Sequence, residues 1–208
     1  MFSDRHDAGK RLAAALDAYR SVKNVVVLGI PRGGVVVASE VARHIGAPLD
    51  IVVVKKLGYP GNPELALGAA TPEHNYINPE LASSVPKNYI DEEIRIKQRE
   101  AYEKAEMLQG SRKPASLAGK IVIVVDDGVA TGASMIMALR VIREIKPAKI
   151  VVAVPVAPPE AVRELRRHAD EVIALMQPTM FFAIGQFYAD FTQVEDEEAK
   201  RLLREATA

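Results

Sequence analysis

The sequence predicts an α/β protein: an open, mostly parallel sheet of about five strands flanked by helices, with a flap and hairpin insertion and a small C-terminal hood. Three observations carry this expectation. Aliphatic runs recur at 25–30 ("VVVLGI"), 50–56 ("DIVVVKK"), 120–127 ("KIVIVVDD") and 149–156 ("KIVVAVPV"), with a weaker fifth at 171–175 ("EVIAL"). The runs are continuous in Val and Ile rather than alternating, as strands buried on both faces of a parallel sheet require. Helix-patterned segments separate most of them, giving the strand–helix–strand repeat of a sheet that binds ligands at the carboxyl ends of its strands.

Taken in order, Ser3 is placed to cap a first helix with Ala8, Leu12, Ala15, Leu16 and Tyr19 on one face. Helices are expected again at 34–45, 133–145 and 159–168. In the second of these Met135, Ala138, Leu139, Ile142 and Ile145 share a face, and Pro147 stops the helix. Residues 57–119 are too many for an ordinary crossover between two strands. Within them "GYPGNPE" is a turn cluster, "LALGAA" and "NYIN" resemble hairpin strands, and Asp91 can cap a charged helix over 92–109. "QGSRKPASLAGK" then reads as a loop, and the whole excursion as an active-site flap. Segment 177–208 holds four of the five Phe residues and ends in an acidic, then mixed-charge, helix that completes the hood. Residues 1–208 are expected to form a single domain.

Composition narrows the functional classes. A chain of 208 residues buries roughly 70% of its unfolded surface, so it needs no disulfide or metal to fold. Basic and acidic side chains balance at 27 each, so overall charge steers the chain toward neither nucleic acid nor membrane. Cysteine is absent, which excludes disulfides, thiol catalysis and Cys-ligated zinc and fits a reducing cytosol. The start, "MFSDRHDAGKRLAAALDAYR", lacks the apolar core of a signal peptide, and no apolar run reaches about 18 residues. A cytoplasmic protein without a membrane partner is expected. His6, His44, His74 and His168 are scattered, with no helical pair, and read as surface or incidental residues.

The chemistry concentrates in "VIVVDDGVATGAS", residues 122–134. The strand delivers Asp126 and Asp127 to the carboxyl edge, where alternation aims them in different directions. Each carboxylate can accept hydrogen bonds from a vicinal diol. Gly128, Ala130, Gly132 and Ala133 let a ligand approach the backbone, and the N–H groups of 131–134 open the next helix as an anion site. Thr131 and Ser134 add hydroxyl donors. A diol at one end and a phosphate about one sugar away describe a ribose 5-phosphate. A P-loop is excluded because Ala133, not Lys, follows Gly132, and no G-x-G-x-x-G follows a strand. No G-x-S-x-G elbow supports a hydrolase.

Four hydrophobics, two acids, three mostly small residues and T-G-x-[ST] together resemble the phosphoribosyl-diphosphate (PRPP) signature of type I phosphoribosyltransferases. The resemblance implies that Asp126 and Asp127 hold the ribose hydroxyls, while Ala130, Thr131, Gly132, Ala133 and Ser134 hold the 5-phosphate. It also implies Mg²⁺ on PRPP, bound largely through substrate oxygens and water. "GIPRGG", residues 29–34, sits where the family places its pyrophosphate loop; a plain strand–helix turn is the alternative reading of those residues alone. Gly33 and Gly34 offer N–H donors and Arg32 a planar fork for phosphate oxygens. A non-proline cis peptide in the family's loop would fall at Pro31–Arg32. Relatives place a basic residue after the second strand, and alternation favours Lys56 over Lys55. Arg112 and Lys113, at the return of the flap, are candidates for closing over the leaving group. The tail "QPTMFFAIGQFYADF" is similar, with a one-residue insertion, to the purine-binding end of 6-oxopurine phosphoribosyltransferases. That places Phe182 on a base and Asp190 near Mg²⁺ or pyrophosphate, although packing of the Phe residues into the hood core accounts for them equally well. The lysine that those enzymes use to read a 6-oxo group is missing from "VPVAPPEA".

The expected activity is transfer of a 5-phosphoribosyl group from PRPP to a nitrogenous base, with release of pyrophosphate. Arg32, Asp126 and Asp127 are the expected catalytic set; Asp126, Asp127 and Asp190 are the metal-associated acids, acting indirectly. A PRPP- or nucleotide-sensing regulator on the same fold is the alternative, though zero net charge and the lack of a winged-helix-sized extension argue against nucleic acid. A PRPP synthetase would need two tandem domains. Similar proteins are frequently homodimers.

Overall fold

A computed structural model describes residues 1–110 and 112–206; Ser111 of the expected loop and the last two residues of the hood segment lie outside them. In chain order the elements are α1 (Arg5–Ala15), β1 (Val25–Gly29), α2 (Gly33–Ile45), β2 (Leu49–Ile51), β3 (Lys55–Tyr59), β4 (Asn62–Ala70), β5 (Asn75–Ile77), α3 (Pro79–Ala82) and α4 (Lys87–Gln109). They continue with β6 (Ile121–Val125), α5 (Ala133–Glu144), β7 (Lys149–Val156), α6 (Pro159–Leu165), β8 (Glu171–Met176) and α7 (Asp196–Glu205).

Five parallel strands form the main sheet in the order β2-β1-β6-β7-β8. Alternate residues of one strand enter opposite cores. Val27, Ile123, Val125, Val151 and Ala153 pack with α2 and α7, whereas Val26, Leu28, Val122, Val124 and Val152 pack with α5 and α6. Both faces are covered, so both phases of each strand are apolar and the runs read as continuous.

The sheet reverses its winding between β1 and β6, whose carboxyl ends lie level at Gly29 and Val125. Loops leaving adjacent strands toward opposite faces open a crevice at such a switch point. The loops are those after β1 and β6, which carry "GIPRGG" and "DDGVATGAS".

Several boundaries differ from the sequence expectation. The run at 50–56 is not one parallel strand: β2 stops at Ile51, and Lys55 and Lys56 open the antiparallel strand β3. A strand ending in two ammonium groups cannot stay buried on both faces, so the chain peels off and pairs with β4 instead. The hairpin buries Leu57, Leu67 and Ala70 with Val85, against Tyr89, Ile90 and Ile94 of α4. That helix starts at Lys87 after Pro86, whose fixed φ suits a helix entry, and Asp91 pairs with Lys87 one turn back rather than capping. Asp4, not Ser3, caps α1 by accepting from Asp7 N at 2.8 Å. Ala13 is buried on that helix and Ala15 is exposed.

Arg112 has another task than the expected one. Its Nη2 donates to Leu49 O at 2.7 Å and its Nη1 to Leu203 O at 3.2 Å, so it fastens the loop after α4 to the edge strand and α7. At the other end of the chain, Phe2 forms a parallel bridge with Tyr188, joining the N-terminal arm to the hood. Among the described residues, no helix is long and apolar enough to cross a membrane.

Replacing Arg112 by Met should lower unfolding free energy by about 1–3 kcal/mol, the worth of charge-assisted bonds left unmade. Urea denaturation reads this loss, and ligand binding at the crevice should be retained.

Candidate active site

β6 carries Asp126 and Asp127 to the crevice, and α2 approaches from the far side with two glycines. A Cβ on Gly33 would strike the Asp127 carboxylate. One on Gly34 would sit 2.9 Å from both Asp126 Cα and Asp126 Oδ1. Only residues without a side chain allow these acids to touch the start of α2. The Pro31–Arg32 peptide just before them is cis, as the resemblance places it.

The two acids have unequal surroundings. Asp127 is buried and receives Arg5 Nε at 2.7 Å, with both side chains largely out of solvent. Arg5 also donates through Nη1 to Thr192 O at 2.8 Å and lies 3.8 Å above the Phe191 ring. Tyr188 donates its hydroxyl to the Asp127 carbonyl at 2.5 Å. Asp126 is half-buried, and its Oδ1 accepts from Asp127 N at 2.9 Å. No cation lies at ion-pair distance from Asp126 among the described residues. Burial first, and then the Asp127 charge, push the Asp126 carboxyl well above the ordinary carboxylate range. Burial also raises Asp127, against the opposing pull of Arg5.

Beyond the acids, the loop turns into α5. Gly132 has φ +82°, a left-handed conformation that favours glycine, and it is the N-cap of the helix. Ala130, Thr131, Ala133 and Ser134 are exposed there, so the first-turn N–H groups, which have no intrahelical acceptor, face an accessible surface. The Thr131 hydroxyl accepts from Ala133 N at 3.4 Å. Underneath, Gly128 leaves room for Ile184 of the hood, whose Cγ2 would be 2.5 Å from an added Cβ. Val129 N is held by Val156 O at 2.9 Å.

Other expected site residues are placed differently. Lys56 lies on the hairpin with its Nζ 3.2 Å from Glu64, rather than at the end of a parallel strand. Lys55 pairs with Glu100 of α4 at 3.8 Å. Arg32 points to Asp196 at the start of α7, 3.7 Å away. Asp190 is exposed and accepts from Thr192 N at 2.9 Å and from the Thr192 hydroxyl, which hold its carboxyl below the ordinary range. Phe182 is 84% exposed, whereas Phe2, Phe187 and Tyr188 form the hood core with Phe181 and Phe191 packed against them. Lys113 is exposed on the loop. His6 is not incidental: its Nδ1 lies 2.8 Å from the buried Glu40 of α2. His44 pairs with Asp17 at 3.1 Å, and His168 Nε2 lies 3.4 Å from Glu164 without a hydrogen bond.

Arg5 and Tyr188 were not anticipated from the sequence. Arg5 sits 122 residues before its partner and carries no motif. Among the described residues, no group of three or more His, Cys, Asp or Glu could hold a metal by itself. Asp126 and Asp127 offer carboxylate oxygens, the donor type that magnesium takes.

With the paired acids, the accessible helix N-terminus and the glycine-lined approach in place, residues 3–192 match the family described as "Phosphoribosyl transferase domain". The chain belongs to this family. Two proteins of Mycobacterium tuberculosis, from strains CDC 1551 / Oshkosh and ATCC 25618 / H37Rv, are each named "Putative phosphoribosyl transferase" and are 43% identical over 209 residues. The match takes in 99% of this chain and 47% of theirs, so the chain spans about half the length of these curated relatives. The crystal structure of TT1426 from Thermus thermophilus superposes with a TM-score of 0.90 at 46% identity, covering 99% of this chain and 98% of that one.

The raised Asp126 carboxyl has a measurable consequence. A carboxyl raised on folding stabilises the native state fully below its unfolded value, and that contribution is lost as pH rises through the folded value. Asp126→Asn should therefore melt higher than the parent at pH 7, with the gap closing below about pH 4. Calorimetric melting across that range measures it.

Proposed function

We propose that this chain binds PRPP with Mg²⁺ and transfers its 5-phosphoribosyl group to a nitrogenous base, releasing pyrophosphate. The observation that carries the reading is the contact between the acid pair and the glycine loop. Asp126 and Asp127 touch the backbone of Gly33 and Gly34, so a ribose held by the acids has its C1 substituent beside Arg32 and the start of α2. At the other end of the same sugar, the loop of Ala130, Thr131, Gly132, Ala133 and Ser134 presents N–H and hydroxyl donors to the 5-phosphate.

In this reading the C1–oxygen bond breaks with its electron pair leaving on pyrophosphate, and the acceptor nitrogen's lone pair forms the new bond to C1. Arg32 and the N–H groups of Gly33 and Gly34 stabilise negative charge that grows on the leaving group. Bound Mg²⁺ supplies further charge neutralisation at the diphosphate. Asp127, fixed by Arg5, and Asp126 orient the ribose hydroxyls and offset positive charge growing at the ring. The excursion 57–119, built on the β3–β5 hairpin and α4, acts as the flap that excludes water. The exposed Phe182 ring is the surface on which a base would stack, and the absence of Lys after β7 argues against a 6-oxopurine reader.

Two measurements test this. Titration of Mg²⁺–PRPP into Asp126→Ala/Asp127→Ala should show at least a hundredfold loss of affinity; retained binding refutes the site. A screen of nucleobases with Mg²⁺–PRPP, read by pyrophosphate release, should find an accepted base. Binding of PRPP without release from any base would replace transfer by sensing.

A further inference from the structure

Two cations from distant parts of the chain converge on one carboxylate beside the start of α2. Lys104 Nζ of α4 lies 2.9 Å from Asp196 Oδ1, and Arg32 Nη1 lies 3.7 Å from the same oxygen. All three side chains are 31–32% exposed, so small anions in solution reach them. A hydrogen bond from Lys104, with the charges of Lys104, Arg32 and Lys200, holds the Asp196 carboxyl below its ordinary range. The same face of α4 continues one turn earlier, where Glu100 takes Lys97 at 2.7 Å and Lys55 at 3.8 Å.

Asp196 is thus an anion resting on the guanidinium assigned above to the leaving group. At 3.7 Å the guanidinium meets that carboxylate through charge without a hydrogen bond, so a diphosphate would compete with Asp196 for the charge of Arg32 and for the hydrogen bond of Lys104. A diphosphate spreads more charge over more oxygens and accepts from an Arg fork and a Lys point charge together. We propose that Arg32 and Lys104 form a two-cation clamp for the diphosphate group, and that Asp196 is an internal anion occupying the clamp until diphosphate displaces it. The proposal rests on the assignment of Arg32 to the diphosphate subsite. It adds Lys104 to that subsite and makes binding there an exchange of anions. Because Lys104 lies on α4 and Asp196 on α7, the exchange transfers α4 from a contact with α7 to a contact with the ligand.

Calorimetry on the full chain, with magnesium pyrophosphate and with ribose 5-phosphate as separate probes, tests it. Asp196→Asn should tighten pyrophosphate binding about two- to fivefold, the worth of a partly exposed ion pair, and leave ribose 5-phosphate unchanged. Lys104→Gln should weaken pyrophosphate binding by about the same factor, again without effect on ribose 5-phosphate, and it carries the test should Asp196→Asn not fold. Unchanged or weaker pyrophosphate binding in Asp196→Asn, or unchanged binding in Lys104→Gln, overturns the clamp while ribose 5-phosphate binding still supports the site. Failure of the parent chain to bind ribose 5-phosphate overturns the ribose-phosphate site itself, and the clamp with it.

Discussion

The ion pair between Arg5 and Asp127 is the interaction on which the rest of the site depends. Two adjacent carboxylates at the end of a buried strand repel each other and lose their water, and a 2.7 Å contact with a guanidinium is what makes one of them tolerable. Arg5 is itself held by the Thr192 carbonyl and the Phe191 ring, so the N-terminal helix and the hood close on the same acid. Tyr188 completes the enclosure through the Asp127 carbonyl. Such a pair is weak evidence of stability, because its charges have given up solvent to form it. Its return is positional: Asp127 can point in only one direction.

Asp126 is left with the opposite condition. It has a backbone N–H, a like-charged neighbour and no cation of its own among the described residues, and its carboxyl is raised accordingly. An acid kept at a switch point of the sheet with a like-charged neighbour costs the fold stability. Arg32 on the facing loop has its charge answered from inside the molecule, by Asp196. The two loops thus differ in their electrostatics, one carrying a carboxylate beside a like charge and the other a guanidinium beside an anion.

Much of the fold was legible because burial on two faces leaves a one-dimensional trace. Val122, Val124 and their neighbours had to be apolar in both phases, and the strands at 149–156 and 171–176 fall where their runs fall. Gly33 and Gly34 were readable as N–H donors at a helix start, although the packing of the two acids against them was not. Lys55 and Lys56 misled because period-two alternation assumes that a strand continues in its sheet, and here the chain leaves β2 for a hairpin. Arg112 misled because a basic residue on a loop looks alike whether it meets a ligand or two main-chain carbonyls. Of the Phe residues of the tail, Phe182 is exposed and the rest are packed in the hood segment, a difference that their sequence spacing does not record.

The sequence by itself determined the parallel sheet, the acid pair at its edge and the small-residue loop that begins α5. Each is a local matter of side-chain size, charge and spacing along a few residues. Only the tertiary structure decided which acid is neutralised by a guanidinium and which carboxylate each cation meets. Those outcomes depend on contacts between segments as far apart as Arg5 and Asp127, or Arg32 and Asp196, and electrostatic interactions act through space with no periodicity to record them along the chain.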